Sequence, residues 1–322
     1  MKILKKQSGL SLIELMIGIL LASLLLLGVL QIFDANRRTN DLQESLSRIQ
    51  ESGRMATDLL NKELRGAAFD GCVVDLSLLV NNAGTMFDGN AIDGDDNISS
   101  ATEIGSKTVE PGTDVLRVRG AVDACGGTAK IASTANIGDT EIELAGSCGS
   151  LEDGDYVMIA NCRAGDISTV AGLSGTPPVL TLANNFSSNY GPESRVYRPY
   201  VREFFVSRDT TTNLPGLFMS EDGNNAQELI PGIEDLQVLY GRDSGGGDDT
   251  VDIWGAPPSN AVESEQVAAI RIQLLVAAGS ASGAEQFKYT RLGTAAEVSA
   301  ADDGRLRKTY SALTKLRNRG SR

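Results

Sequence analysis

A single apolar run near the amino terminus constrains this chain more than any other feature. Residues 10–33 are 24 consecutive positions with one charged side chain, Glu14. As a helix rising ~1.5 Å per residue, the run would be about 36 Å long, which exceeds the roughly 30 Å of a bilayer core. Lys2, Lys5 and Lys6 precede it without any acid, a distribution that keeps an amino terminus in the cytoplasm. We therefore predict a membrane span that is followed by an extracytoplasmic part.

The end of this run argues against an ordinary secretory signal. It passes directly into the charged pattern DANRRTNDLQESLSRIQ, with no small-residue cleavage site between the two. Glu14 is unusual, because a carboxylate inside an apolar span costs about a few kcal/mol unless it is paired or hydrated. Two interpretations stay open at this point: a carboxylate close enough to the interface to remain in water, or one paired with a group outside the span.

The helical pattern continues past the membrane segment. Apolar or small residues recur there every three or four positions, which places them on one face of a helix. They are Leu42, Leu46, Ile49, Gly53, Ala56, Leu60, Leu64 and Ala67. No proline interrupts residues 10–67, so the sequence predicts one rod of roughly 87 Å with an amphipathic continuation over 34–67. Taken alone, such a stripe is also typical of a coiled coil or a core helix.

The remainder, residues 68–322, has the composition of a β-rich domain. Glycine, Asn, Asp and Ser clusters separate short runs rich in Val, Ile, Thr and Tyr. These runs are 114–118, 140–144, 156–160, 179–182, 201–207, 217–220, 236–241 and 267–276. The last alternates Ile270, Ile272 and Leu274 with Arg271 and Gln273, as a central strand would. We predict an α+β fold, with the long helix packed on an antiparallel sheet and long loops over 77–109 and 243–258.

Composition excludes several classes of function. The chain has no histidine, which removes Ser-His-Asp and Cys-His catalysis and histidine-containing zinc sites. An enzyme would be limited to carboxylate or lysine chemistry, and we expect none. With 29 basic and 42 acidic residues the net charge is −13, so binding of nucleic acid is not expected. Aromatic residues make up only 5 %, which does not favour an adhesive groove for carbohydrate.

The four cysteines, Cys72, Cys125, Cys148 and Cys162, all follow the apolar run. In an oxidising compartment they allow two disulfides in three pairings, and free buried thiols are the alternative. We favour Cys125 with Cys148, closing a hairpin, and Cys72 with Cys162, tying the end of the helix to the sheet. None forms a CxxC motif, so no metal site is expected at these sulfurs.

Two acidic, glycine-bearing segments carry oxygen ligands that would suit calcium. The first contains Asp88, Asn90, Asp93, Asp95, Asp96 and Asn97, and the second Asp243, Asp248, Asp249 and Asp252. Neither fits the twelve-residue loop that ends in glutamate, and such segments are more often solvated turns. We expect no cofactor, with calcium as the alternative.

Residues 5–14, KKQSGLSLIE, resemble the class III signal of type IV prepilins and of type II secretion pseudopilins. The resemblance implies that a prepilin peptidase cuts after Gly9 and that Leu10 becomes the N-methylated first residue. It also implies that Glu14 pairs with the free amine of a neighbouring subunit. Removal of the leader, residues 1–9, takes three lysines away and brings the net charge from −13 to −16.

A second resemblance covers roughly residues 195–319, while 73–194 match only loosely. The segments 202–206 (REFFV), 228–241 (ELIPGIEDLQVLYG) and 316–319 (LRNR) look like the carboxy-terminal half of PilW-type minor pilins. This implies a structural subunit, anchored in the inner membrane with a periplasmic domain and incorporated into a surface pilus. It would prime assembly together with other minor pilins, the major pilin and an adhesin-like tip protein. A type II secretion pseudopilin is the close alternative, and a membrane-anchored binding module is a more distant one.

Overall fold

The computed structural model describes residues 11–69, 71, 73, 79–84, 87, 90–126, 130–148, 151–245, 250–279 and 285–317. Its dominant element is the helix α1, Leu12–Gly66, which is 55 residues long. All of its large apolar side chains from Leu12 to Phe33 are exposed. The helix therefore consists of an uncovered apolar half and a half that packs on the rest of the chain.

The packed half of α1 buries one stripe of side chains. Its buried residues are Ser45, Ile49, Gly53, Ala56, Leu60 and Leu64. Leu42 and Leu46 were expected on this stripe, but 42 % and 43 % of their surface is exposed. The predicted face of the helix is therefore correct, but the predicted start of the buried stripe is too early. The spacing of apolar residues shows which face of a helix is buried, and it does not show at which residue the rest of the protein begins to pack on that face.

The helix lies on a four-stranded antiparallel sheet. The strands are β13 (Ile233–Arg242), β14 (Ile253–Gly255), β15 (Val267–Ala278) and β18 (Leu306–Lys315). Their order is β14-β13-β15-β18, so β15 is the interior strand that its alternating pattern predicts. Ile270, Ile272 and Leu274 of β15 belong to the same buried cluster as Leu60 and Leu64 of α1. This confirms the α+β class, a long helix packed on antiparallel sheet.

A second and larger sheet has ten strands. These are β1 (Leu79–Asn81), β2 (Ile92–Asp95), β5 (Val115–Asp123), β6 (Glu141–Glu143), β7 (Tyr156–Asn161), β8 (Ala164–Ser174), β9 (Val179–Leu182), β10 (Arg195–Arg208), β11 (Pro215–Glu221) and β12 (Gln227–Pro231). The main path runs β12-β11-β10-β7-β8-β9-β6, and β5 pairs with both β10 and β2. β1 joins β8 in parallel, unlike the other pairs.

The two sheets share one core, and the larger sheet has further buried clusters of its own. Phe204 and Val206 of β10 belong to the cluster that includes α1 and β15. Farther along the same sheet, Ile159, Leu180 and Tyr190 belong to a separate cluster, drawn from residues 124–196. Residues 73–194, which match only loosely and are called the insertion from here on, therefore contribute most of a second packed core.

The remaining elements are short. They are β3 (Glu103–Ile104) paired with β4 (Lys107–Thr108), β16 (Lys288–Thr290) paired with β17 (Glu297–Ser299), and α2 (Ala261–Glu265). Four of the short strands, β1 to β4, lie within 79–108, where the sequence predicted a long loop. That expectation was wrong, because strands of two to four residues are too short for alternation to distinguish them from turns.

Candidate assembly surfaces on the spine helix and its dock

Ser11 is the first described residue, close to the predicted cleavage site. Gly9 and Leu10 lie outside the described residues, so cleavage between them stays a prediction. Ser11 has the extended backbone of a residue that precedes a helix, and its carbonyl accepts the backbone N–H of Glu14 at 3.0 Å. The carboxylate of Glu14 therefore stands in the first turn, where the helix dipole favours a negative charge.

The side chain of Glu14 is surrounded by exposed apolar residues. Ile13 and Leu15 beside it are 66 % and 54 % exposed. Within the part of the chain that the structure describes, no basic group forms an ion pair with Glu14. A cation that compensates this carboxylate in an apolar medium would have to come from outside these residues.

The uncovered half of α1 has the length and composition of a membrane span. An 18-residue window of it has a mean hydropathy of 2.6, and none of that window is buried. A soluble core helix of this hydropathy would be covered by the protein, because exposure of so much apolar surface to water is unfavourable.

Three contacts, at successive positions along the helix, hold the packed half of α1 against the two sheets. The ring of Tyr310 on β18 lies directly over Gly53, where a Cβ would overlap it. About two turns farther along the helix, the Thr314 hydroxyl donates to Asn61 Oδ1. At the end of the helix, Arg202 Nη1 on β10 donates to Glu63 Oε2 at 2.6 Å. The first two contacts join the helix to the four-stranded sheet, and the third joins it to the ten-stranded sheet.

Arg202 is the centre of the third contact. Its Nε donates to Glu221 Oε2 at 2.7 Å, and its guanidinium stacks over the Tyr200 ring at 4.2 Å. Burial alone would lower the pKa of Arg202, but hydrogen bonds to Glu221 and Glu63 raise it above its ordinary value. The cation is therefore held between two carboxylates, one of which belongs to the helix.

Asp114, immediately before β5, joins the two sheets. Its backbone N–H donates to the carbonyl of Leu236 at 2.9 Å. Its two carboxylate oxygens accept the backbone N–H groups of Asn97 at 2.8 Å and Val238 at 2.7 Å. Desolvation by burial raises the pKa of Asp114 to about 7, although both hydrogen bonds act to lower it.

Two carboxylates of the first acidic segment considered for calcium pair with arginines. Asp93 accepts from Arg119 Nη1 at 2.8 Å, and Asp95 pairs with Arg117. In the second segment, Asp252 accepts the backbone N–H of Ser244 at 2.9 Å. Asp88, Asp248 and Asp249 lie outside the described residues. Among the residues that the structure describes, no three acidic or sulfur side chains are grouped as metal ligands.

One of the two expected disulfides lies in the described part of the chain. Cys125 and Cys148 are bonded, with their Cα atoms 4.7 Å apart. Both contribute to the core of residues 124–196, and Ile131 and Leu144 bridge inside the loop that the bond closes. Cys162 is exposed and forms no disulfide within the described residues, while Cys72 lies outside them. The Cys72–Cys162 pairing stays a prediction.

Two known family models match this chain, one at its amino-terminal segment and one in its carboxy-terminal part. Residues 4–30 match the family model described as the prokaryotic N-terminal methylation motif. Residues 203–318 match the model described as type IV pilus-assembly protein W. The chain thus carries a prepilin-type methylation motif at residues 4–30 and a PilW-type region at 203–318. The PilW-type region contains β11 to β18, and so includes the whole four-stranded sheet that docks the helix.

A solved structure, a type IV-like pilin from Thermus thermophilus, is similar at a TM-score of 0.38 and 12 % identity, over 85 % of this chain and 97 % of that one. Among curated proteins the search found no match.

Sequence reasoning found Glu14 and the cysteines, but it missed the residues that hold the helix in place. Arg202 and Asp114 lie in or beside predicted strands and have ordinary neighbours in sequence. The one signal in the sequence was a charged residue inside an otherwise apolar strand. Such a residue is expected both in a buried ion pair and at an exposed sheet edge, so it does not identify either. The PilW-type segment 202–206 contains Arg202, but the resemblance alone assigns it no partner.

Proposed function

We propose that this chain is a minor structural subunit of a type IV pilus, anchored in the inner membrane with its β-rich domain in the periplasm. The observation that carries the proposal is the continuity of α1. One unbroken helix joins a prepilin-type amino terminus and an uncovered apolar half to a PilW-type domain. A filament built by lateral packing of such apolar halves would bury the surface that the single chain leaves exposed.

The processing step follows from the motif. A prepilin peptidase would cut between Gly9 and Leu10, leaving a free amine on Leu10 four residues before Glu14. Within the described residues, no basic group pairs with Glu14. An amine from a neighbouring subunit would offset the desolvation of Glu14 and fix the register between the two helices.

The more specific role that we propose is in the initiation of pilus assembly. In this proposal the chain joins other minor pilins in a complex that primes assembly, sits near the tip and carries an adhesin-like protein. Its net charge, −13 with the leader and −16 without it, and its large insertion set it apart from a simple repeating unit, since many identical acidic domains packed side by side would repel one another.

The test uses cells that carry the full chain and their sheared filaments. Mass spectrometry of the mature protein should find an N-methylated Leu10 as the first residue, and Gly9→Val should leave the leader attached. Gly18→Ala is the matched control, because it changes another glycine of the amino-terminal segment and a Cβ there meets no neighbour. A different mature terminus would contradict the proposal.

Deletion of the gene separates pilus from secretion system. The proposal expects loss of surface pili with secretion through the outer membrane unchanged. The reverse result would identify a type II secretion pseudopilin, which shares the signal, the span and the fold class.

A further inference from the structure

The strand β18 forms an open edge of the four-stranded sheet. It pairs with β15 over ten consecutive residue pairs, from Leu306 opposite Ala278 to Lys315 opposite Ala269, with no shift in register. Within the described residues, no strand pairs with its other side.

The direction of the backbone groups on β18 follows from one hydrogen bond. The N–H of Leu316 donates to the carbonyl of Ala268 at 2.9 Å. In an antiparallel ladder, hydrogen-bonded and non-hydrogen-bonded pairs alternate, so the even-numbered residues of β18 point their backbone groups at β15. The N–H and C=O groups of the odd-numbered residues point away from the sheet. These are Arg307, Thr309, Ser311, Leu313 and Lys315, and within the described chain their outward backbone groups have no backbone partner.

The other edges in the described structure are blunted in the ways that natural sheets use. β12 ends in Pro231 and shifts its register against β11. β1, β6 and β14 have three residues each, and β2, which pairs only with β5, has four. β18 has ten residues, no proline, no glycine and no bulge, so it is a regular template for an added strand.

The side chains of β18 indicate what could pair there. Leu313 is 61 % exposed and lies opposite Arg271, whose guanidinium stacks over the Trp254 ring at 4.5 Å. Lys315 and Arg317 at the end of the strand are exposed and form no ion pair with any described carboxylate. In a chain of net charge −13, this edge therefore offers an apolar centre and an unpaired basic end.

We propose that β18 receives an extended, acidic segment of a different pilin-like chain as a fifth strand of the sheet. The outward backbone groups would supply hydrogen bonds, Leu313 an apolar contact, and the basic end the preference for carboxylates. The class of partner rests on the proposed function. A strand added here would lie beside α1, so the neighbouring subunit would be held at the sheet as well as at the helix.

A second copy of this strand is disfavoured in one arrangement. Parallel pairing in register would set Lys308 beside Lys308 and Lys315 beside Lys315, and like charges directly opposite each other destabilise a strand pair. Antiparallel pairing centred on Ser311 would set Lys315 opposite Arg307, whose charge is already matched by Glu234 and Asp303, so a second copy in that arrangement is an outcome that the experiment must distinguish.

The experiment places a photo-crosslinking amino acid at Leu313 of the full chain in cells that assemble filaments. Ile137, which is 64 % exposed and lies in the insertion, is the control position. The proposal expects an adduct from position 313 that maps to an acidic extended segment of another prepilin-like protein, and none of that kind from 137. An adduct with a second copy of this chain, or no adduct from 313, would overturn it.

Two substitutions at Ser311 test the backbone contact. Ser311→Pro removes an outward N–H and leaves the ladder to β15 intact, whereas Ser311→Thr keeps the N–H. We expect the adduct from 313 to fall at least about fivefold with proline and to persist with threonine, since a lost hydrogen bond is worth ~1 kcal/mol. Equal adduct yields in the two variants would reject strand addition.

A charge exchange keeps the test independent of folding. With the crosslinker moved to Thr309, Leu313→Glu should reduce the adduct and Leu313→Lys should preserve it; the opposite order would contradict an acidic partner. Recovery of the chain in sheared filaments is measured in every strain. Filaments that contain the chain without the adduct would refute the inference alone, whereas an adduct formed in the membrane by a chain absent from filaments would refute only the proposed function.

Discussion

The ring of Tyr310 on strand β18 lies against the backbone of Gly53 in helix α1. Glycine is ordinarily a poor helix residue, and here it lets an aromatic ring approach the helix axis closely. The hydroxyl of Tyr310 is buried and has no hydrogen-bond partner within the described residues. The position of the ring is therefore set by packing against the helix.

Gly53→Ala should destabilise the docked domain, although alanine is the better helix former. The added Cβ overlaps the Tyr310 ring, and overpacking of this kind costs typically ~1–3 kcal/mol. Urea unfolding of the purified full chain in detergent measures the change. Gly66→Ala is the matched control, because its Cβ would meet only the Tyr200 hydroxyl at an ordinary 3.6 Å. Equal stability of Gly53→Ala and the wild type would mean that the ring is free to move aside.

Arg202→Ala should weaken the link between the helix and the larger sheet by roughly 2–4 kcal/mol, because it leaves Glu63 and Glu221 partly buried without their cation. A double-mutant cycle with Glu63→Gln isolates the contact to the helix. We expect the two substitutions to show a coupling energy of ~1–2 kcal/mol in the free energy of unfolding, as is typical of residues that share a salt bridge. A coupling of zero would assign the whole effect of Arg202→Ala to Glu221 and Tyr200.

The stability of the domain should fall as the pH rises from about 4 to about 7. In this window Asp114 is protonated in the folded chain, where its pKa is raised to about 7, and ionised in the unfolded chain, where it is 3.8. The folded state then binds more protons, so unfolding becomes easier with a slope approaching ~1.4 kcal/mol per pH unit. Asp114→Asn should flatten the profile, and substitution of the exposed Asp302 should leave it unchanged. A wild-type stability that rises over this range would contradict the assignment.

Glu14→Val should leave membrane insertion and cleavage intact, because it removes a desolvation cost from the apolar half of α1. Incorporation into filaments should fall, since the charge pair that sets the register between subunits is lost. Immunoblots of sheared filaments against whole cells measure the ratio. Glu14→Asp, which keeps the charge on a shorter side chain, should retain more incorporation than valine. Wild-type recovery of Glu14→Val in filaments would favour a carboxylate that is simply hydrated at the interface.

Loss of the Cys125–Cys148 bond should loosen the outer part of the larger sheet. Replacement of both cysteines by alanine should cost ~2–4 kcal/mol in the stability of this region. Proteolysis at low denaturant concentration should then cleave first within 124–196. Alkylation of the exported chain without reductant should find at least one disulfide. Four reactive thiols would contradict both expectations.

The sequence predicted the elements whose signal is local. The apolar run, the stripe from Ile49 to Leu64 and the alternation of β15 each repeat over many residues, so one misplaced end leaves the element recognisable. The division into two sheets was not predicted, because it depends on which strands pair across long separations. Strand β18 was also missed. Its sequence, LRKTYSALTK, shows no alternation of apolar and polar residues, because only part of the strand is buried against α1.

Site residues divide in the same way. Glu14 stands out because a charge inside an apolar run has no local explanation. Arg202, Glu63 and Asp114 acquire their meaning only from partners that are remote in sequence: 139 residues separate Arg202 from Glu63, and 124 separate Asp114 from Val238. Such pairs leave no trace in the composition of a single chain.

The path of β10 has a mechanical consequence. This single strand of 14 residues begins in the core of the insertion at Val196 and ends in the core of the docked helix at Phe204 and Val206. A force applied to the insertion would be transmitted along the length of β10 to α1. It would act in shear on the hydrogen bonds between β10 and its flanking strands, so many of them would have to break together. The insertion is thus connected to the helix by a tether that resists tension.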